Sequence, residues 1–181
     1  MDQDGSDRGG ASRRLFDAST QECPAVAAIG TQPDEEYATP RQRGAGYEAA
    51  LRDAGLELDA AIELPSSRYS RSDGYEAMRS LLAAGAEVDA VFCFSDLLAM
   101  GAMRAIFDAG LSVPEEIAVI GIDDIEEGRY SRPTLSSVSL DTAFIARKAI
   151  RRITARIENP DAPAQQVLAP HRVVPRESTA R

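Results

Sequence analysis

Two adjacent carboxylates, Asp123 and Asp124, close the apolar run V-I-G-I at residues 119–122. Such a pair can hold a hard cation such as Mg²⁺ through its oxygens, as phosphoryl-transferring receivers and phosphatases do. Alternatively, one carboxylate of the pair accepts hydrogen bonds from vicinal hydroxyls. Thr39, Arg43, Tyr69 and Ser95 stand at comparable turns. An arginine fork donates to a sugar ring or a carboxylate, a tyrosine ring lies against the apolar face of a sugar, and a serine ahead of a helix adds a hydroxyl. Each also has a plain structural use. Asp123 or Asp124 can cap the next turn, Arg43 can lie on a solvated helix face, Tyr69 can pack a loop, and Ser95 can act only as an N-cap.

Catalytic chemistry is poorly supplied. A phosphoryl site needs a cation beside its acids, and the one lysine is Lys148, within an amphipathic helical pattern. The single histidine, His171, stands near the C-terminus beside Pro170, and the chain has no G-x-S-x-G elbow. Cys23 and Cys93 are far apart without a neighbouring His or Cys, so neither a zinc site nor a thiol nucleophile is suggested. Gly44-Ala45-Gly46 falls inside a helical pattern, where it cannot serve as a dinucleotide fingerprint; those glycines are expected to let the helix approach a sheet or ligand closely. The reading is a protein without enzymatic activity, cofactor or metal.

The elements that must position these residues follow from punctuation. Gly55, Gly85 and Gly110 each close a helical pattern and precede an apolar run, the spacing of βα units. Helices are predicted over 9–21, from Thr39 as N-cap with Pro40 first to about 54, over 72–84, over 96–109 behind Ser95, and over 142–157 with Ile145, Ala149, Ile153 and Ile157 on one stripe. Strands are predicted at 25–30, 60–65, 90–94, 117–122, 135–140 and near 166–174. Runs that are apolar without alternation belong in a sheet covered on both faces. The expected fold is α/β, an open, doubly wound, mostly parallel sheet, with ligands outside the carboxyl ends of the strands. Asp123, Ser95, the loop of Tyr69 and the turn of Thr39 to Arg43 all fall at that edge.

Bulk properties narrow the partners. The 181 residues are 44% hydrophobic and 27% charged, enough for one sizeable core. A net charge of −9 is the wrong sign for a surface that neutralises phosphates or docks on anionic lipid. No run of about 18 apolar residues and no cationic, then apolar start is present, so a cytoplasmic protein with no membrane contact is expected, its residues 1–8 disordered.

The stretch VFCFSDLLAMGAMRAIFDAGLSVPEEIAVIGIDDIE (91–126) resembles the signature of the lactose-repressor and galactose-repressor family of bacterial transcription regulators. In that family a strand, an Asn/Ser-Asp, a helix ending A-G-L-x-V-P and a strand ending V-x-G-x-D-D follow in this order. DRGGA (7–11), TPRQRGAGYEAALRDAGL (39–56), SRSDGYEAMRSLL (70–82), RPTLSSV (132–138) and VVPREST (173–179) add to the likeness. The resemblance implies one lobe of a periplasmic-binding-protein-like effector domain over 9–140. It further implies a helix at 141–158 that belongs to the other lobe in the family, and a final strand and tail over 159–181. The DNA-binding headpiece and most of the first lobe are expected to lie outside this sequence.

Carried over residue by residue, the resemblance places effector contacts on Arg43, Asp123, Tyr69, Ser95 and, less directly, Thr39. The implied ligand is a small effector such as a sugar. Ser95 stands where many members have Asn, and Leu140 where several have a polar ligand residue, so a different effector from theirs is implied. A homodimer interface is implied at Met100, Glu126, Arg129 and Tyr130, and operator DNA is reached only through the missing headpiece. Two alternatives stay open on the residues alone: an acid-pair, Mg²⁺-dependent phosphoryl-transfer domain, and a periplasmic-type sugar-binding protein. The stripe of the helix at 142–157 must pack on its own lobe, swap into a neighbour, or stay exposed.

Overall fold

The computed structural model describes residues 25–32, 38–66 and 68–180. The helix predicted over 9–21 and the start expected to be disordered, 1–8, lie outside the described residues. Among the described residues six strands form one sheet, β1 (Val26–Thr31), β2 (Glu63–Pro65), β3 (Ala90–Cys93), β4 (Ala118–Ile122), β5 (Ser136–Leu140) and β6 (His171–Val174), in the spatial order β2-β1-β3-β4-β5-β6. All neighbours pair parallel except β5 with β6, which are antiparallel. Ile29 lies opposite Cys93, Phe92 opposite Ile120, and Ile122 opposite Val138, so β1, β3, β4 and β5 come to their carboxyl ends side by side.

Among the described residues four α-helices connect and flank the strands: α1 (Ala38–Asp53), α2 (Arg71–Ala83), α3 (Asp96–Asp108) and α4 (Thr142–Glu158). Ser70, Ser95 and Asp141 cap the last three by accepting the N–H groups of Asp73, Leu98 and Phe144 at 3.1, 3.3 and 2.7 Å. Gly55, Gly85 and Gly110 follow α1, α2 and α3 with φ of 71, 74 and 78°, the left-handed stop that their positions in the sequence predict. Phe94, Ile29, Met78, Leu98, Ile106, Val91 and Val119 are fully buried and form one core with Tyr47 and Leu51 of α1.

Several boundaries differ from the sequence reading. Helix α1 begins at Ala38, so Thr39 is a helical residue and not the N-cap; Pro40 still sits in the first turn, where its missing N–H costs nothing. The predicted strand at 60–65 is half turn: Asp59 accepts the Ala61 N–H at 2.8 Å and winds Ala60–Ile62 into a 3-10 turn, leaving Glu63–Pro65 to pair with β1. The last strand is four residues, His171–Val174, and the chain before it carries no ladder.

Among the described residues the glycine pair of α1 does not bring that helix into close approach to the sheet. A side-chain carbon at Gly46 would meet no atom within 4 Å, and one at Gly44 would touch only Phe94 at 3.9 Å. Close approach lies instead between α2 and α3, where a Cβ at Gly74 would run into the Leu98 carbonyl oxygen and one at Gly101 into that of Arg71. Backbone meets backbone there because neither position carries a side chain.

Helix α4 stands apart. It has no buried residue, and Ile153 and Ile157 are 57% and 75% exposed. Its cations Arg152 and Arg156 bond the Pro163 and Ala162 carbonyls of the chain folding back after it, at 2.6 and 2.9 Å. Within this chain its apolar stripe does not pack on its own lobe.

Candidate functional site

The carboxyl ends of β1, β3 and β4 gather three of the sequence-predicted residues. Arg43, one turn into α1, donates through Nη1 to the Phe94 carbonyl at the end of β3. Its Nη2 stands 3.7 Å from Oδ1 of Asp123, which follows β4. The Tyr69 hydroxyl donates to the Gly30 carbonyl of β1 at 2.8 Å. Gly30 has φ of 121° and Phe94 pressed against the place of a Cβ, so only glycine fits. Donor, acceptor and aromatic ring are therefore anchored on three neighbouring strand ends.

The loop that carries Tyr69 is held from behind by Asp73. Its carboxylate accepts from Ser66 Oγ and the Arg68 N–H at 3.0 Å each and from Ser70 Oγ at 2.8 Å. Those bonds, the one from Ser70 first, hold the Asp73 carboxyl below the usual carboxylate range. Tyr69 itself takes φ of 53°.

The acid pair divides. Burial pushes the Asp123 carboxyl up, and Arg43 draws it back only in part. With its side chain 40% exposed, Asp123 remains open to a ligand. Asp124 is only 7% exposed and is committed to two cations, Arg176 through Oδ1 and Arg129 through Oδ2, the latter at 3.4 Å. Burial would raise its pKa, but the bonds from Arg176 and Ser139 and the charge of both arginines hold it below the usual range. A metal or phosphoryl site built on both acids would have to displace those arginines. Among the described residues no cluster of three His, Cys, Asp or Glu is arranged to hold a metal ion.

The remaining predicted residues are less central. Ser95 is 4% exposed, and its oxygen accepts the Leu98 N–H as the cap of α3. Thr39 is exposed in the first turn of α1. Leu140 ends β5 and is half-buried. Met100 packs against the core from α3, while Glu126 and Arg129, in a 3-10 turn, and Tyr130 beside them are exposed, Tyr130 by 78%. Among the described residues no helix is long and apolar enough to cross a membrane.

Sequence reasoning missed Asp96. It stands in the quoted S-D pair but received no role, although it is 1% exposed. Its Oδ1 accepts from Ser137 Oγ at 2.7 Å and its Oδ2 from the Ile125 N–H at 2.9 Å. Arg176 was missed as well; besides Asp124 it donates through Nη1 to the Leu135 carbonyl at 2.6 Å. The sequence signals for Asp96 are its place in the S-D pair and an acid in the first turn of a mostly apolar helix, the latter ordinarily credited to the helix dipole.

Comparison with known proteins gives a consistent result. The periplasmic binding protein-like domain matches residues 19–179. A helix-turn-helix-type transcriptional repressor, PurR, of Mannheimia succiniciproducens is 33% identical over 143 residues, 79% of this chain and 42% of the repressor. A solved structure assigned to the LacI family of transcriptional regulators, from Sanguibacter keddieii, is 38% identical with a TM-score of 0.78, covering 87% of this chain and 58% of that one. A complex of the transcriptional regulator CelR with cellobiose is 31% identical with a TM-score of 0.78, covering 84% and 46%. The chain spans less than half the length of the curated relatives it matches.

Proposed function

Because the chain belongs to the periplasmic binding protein-like domain family and, within it, to the LacI-type transcriptional regulators, we propose that it senses a small polar effector at the carboxyl edge of its sheet. The observation that carries this is the placement of the Arg43 guanidinium 3.7 Å from the Asp123 carboxylate, with the anchored ring of Tyr69 on the neighbouring strand end. A fork donor beside an acceptor, with an aromatic nearby, suits a ligand rich in hydroxyls, and a sugar is the class we propose. Cellobiose in the complex of the relative CelR supports a carbohydrate panel as the place to begin.

The rest of the reading extends to the whole protein. The exposed stripe of α4, in the helical segment 141–158, packs on a second lobe, and effector held between lobes favours one relative orientation of the two. A homodimer forms through Met100, Glu126, Arg129 and Tyr130, and operator DNA is bound by a helix-turn-helix segment of the kind named in the relatives. The protein works in the cytoplasm as a regulator and catalyses no reaction. The commitment of Asp124 to Arg176 and Arg129 favours this over phosphoryl transfer on an acid pair.

Calorimetric titration with mono- and disaccharides, uronates and nucleobases tests the proposal. One compound is expected to bind, and Arg43→Ala and Asp123→Ala are each expected to weaken it about 100-fold while leaving the melting temperature nearly unchanged, as loss of a charge-assisted bond in the site implies. Undiminished binding by both variants would overturn it.

A further inference from the structure

Asp96 closes a ring of hydrogen bonds beneath the acid pair. The Asp124 N–H donates to Ser137 Oγ at 2.9 Å, the Ser137 hydroxyl donates to Asp96 Oδ1 at 2.7 Å, and Asp96 Oδ2 accepts the Ile125 N–H at 2.9 Å. The Asp123 N–H goes to the Val138 carbonyl at 3.0 Å. Three consecutive N–H groups, 123 to 125, are thus pinned to β5 and to the start of α3. They need to be. Asp123 and Asp124 take φ of 114 and 53°, conformations that an L-residue keeps only where its surroundings over-determine them.

The fit is close enough to specify neighbours. A side chain at Gly121 would collide with Asp96 Oδ1, and Ser136 and Ser137 of β5 are fully buried, so the residue types around the ring are constrained. The groups facing Asp96 are Cys93, Asp123, Asp124 and Ser137. Two of these acids carry their own cations, Arg43 for Asp123, and Arg129 with Arg176 for Asp124. Among the described residues Asp96 has no cation, only the two donors, one to each of its oxygens.

We propose that Asp96 is a positioning residue of the effector site: through Ser137 and the Ile125 N–H it holds the Asp123–Asp124 turn in the left-handed geometry that sets the Asp123 carboxylate beside Arg43. The functional half of this rests on the effector reading above; the structural half stands without it. It also reassigns the start of α3. Ser95 caps the helix, and Asp96 serves the site.

The test needs no ligand, so its failure is distinct from a failure to find an effector. The Asp96→Asn and Ser137→Ala variants of the full chain are compared with the parent by amide hydrogen exchange and by ¹H–¹⁵N spectra. Exchange at Asp124 and Ile125 is expected to accelerate about tenfold or more in both, as local opening implies, with Val91 and Val119 unchanged. The nuclear Overhauser contacts joining the Arg43 guanidinium to Asp123 are expected to vanish. In the parent protein the Ile125 amide proton should move through a pH-dependent step as the carboxylate accepting it is protonated, a step larger than the one that titration of Asp123 and Asp124 leaves in Asp96→Asn; this holds the idea to account even if a variant folds poorly. Unchanged exchange at 124 and 125, acceleration spread evenly over β3 and β4, retained Arg43–Asp123 contacts, or an Ile125 amide without a pH step would overturn the proposal.

Discussion

Replacing Gly101 by alanine sets two effects of opposite sign against each other. In a helix interior the change gains about 1 kcal/mol of propensity, because alanine loses less backbone freedom than glycine. At this position, however, the added carbon would run into the Arg71 carbonyl oxygen and stand 2.7 Å from the Tyr75 nitrogen, where ordinary contact begins at 3.4 Å. Both are backbone atoms, so no side chain can swing aside, and α2 and α3 must part along their glycine seam by more than the roughly 0.7 Å that the Tyr75 contact alone requires. Overpacking of this kind costs typically ~1–3 kcal/mol, and a backbone clash belongs at the upper end. The net expectation is a loss of about 2 kcal/mol, which lowers the melting temperature by about 4–8 °C in a domain of this size. Gly46→Ala is the matched control, since a carbon there meets nothing within 4 Å; it should stabilise by about 0.5–1 kcal/mol. Urea and thermal unfolding of the two variants read the difference directly. If Gly101→Ala were as stable as Gly46→Ala, the backbone contact between α2 and α3 would be wrong, and with it the placement of Tyr69 and Asp96 at the helix starts.

Other consequences concern charge and burial. Asp124→Ala leaves the Arg176 guanidinium, 15% exposed, without its carboxylate, and should cost about 3–5 kcal/mol in urea unfolding. On acidification Asp73, Asp124 and Glu177, all held below the usual carboxylate range, lose their contribution as pH falls through and below that range. Asp96 and Asp123, raised by burial, take up protons earlier in the fold than in the unfolded chain, so they oppose that trend just above it. The urea midpoint should therefore change little from neutrality down to about pH 5 and fall steeply below about pH 4, with a shallower fall in Asp124→Asn. The Cys93 thiol is buried and its pKa pushed far up, first by burial and then by Asp96, so in a Cys23→Ser background it should resist alkylation until urea unfolds the chain. Ile153→Ala on exposed α4 should shift stability by less than about 0.5 kcal/mol, against about 2–5 kcal/mol for Ile106→Ala in the core.

The parts of the molecule governed by local chemistry were legible in the sequence. Apolar runs and the glycines at 55, 85 and 110 marked β1, β3 and β4 and the ends of α1 to α3, because strand burial and a left-handed helix stop each need a particular residue in place. The short β2 was misread because the Asp59 side chain, and not apolar content, decides where the turn ends and the ladder begins. The close approach of helix to neighbouring backbone credited to the glycines of α1 occurs at Gly74 and Gly101; a helical glycine looks the same in sequence whether a neighbour or open space lies above it. Asp96 was missed for a related reason. Its partners Ile125 and Ser137 lie 29 and 41 residues away, and only the neighbouring of β4 with β5, with α3 set over their ends, brings them to one carboxylate. Arg176 reaches Asp124 across 52 residues in the same way.

Spectral mapping on this chain tests the central claim most directly. A ¹H–¹⁵N titration with cellobiose, glucose, a uronate and nucleobases should show saturable shifts for at least one compound at Gly30, Phe94, Tyr69 and residues 123–125, and none at those positions for the same compound in Arg43→Ala. Shifts centred instead on the groove lined by Val113, Arg129, Tyr130 and Pro133, or shifts at the strand ends that persist in Arg43→Ala, would contradict it.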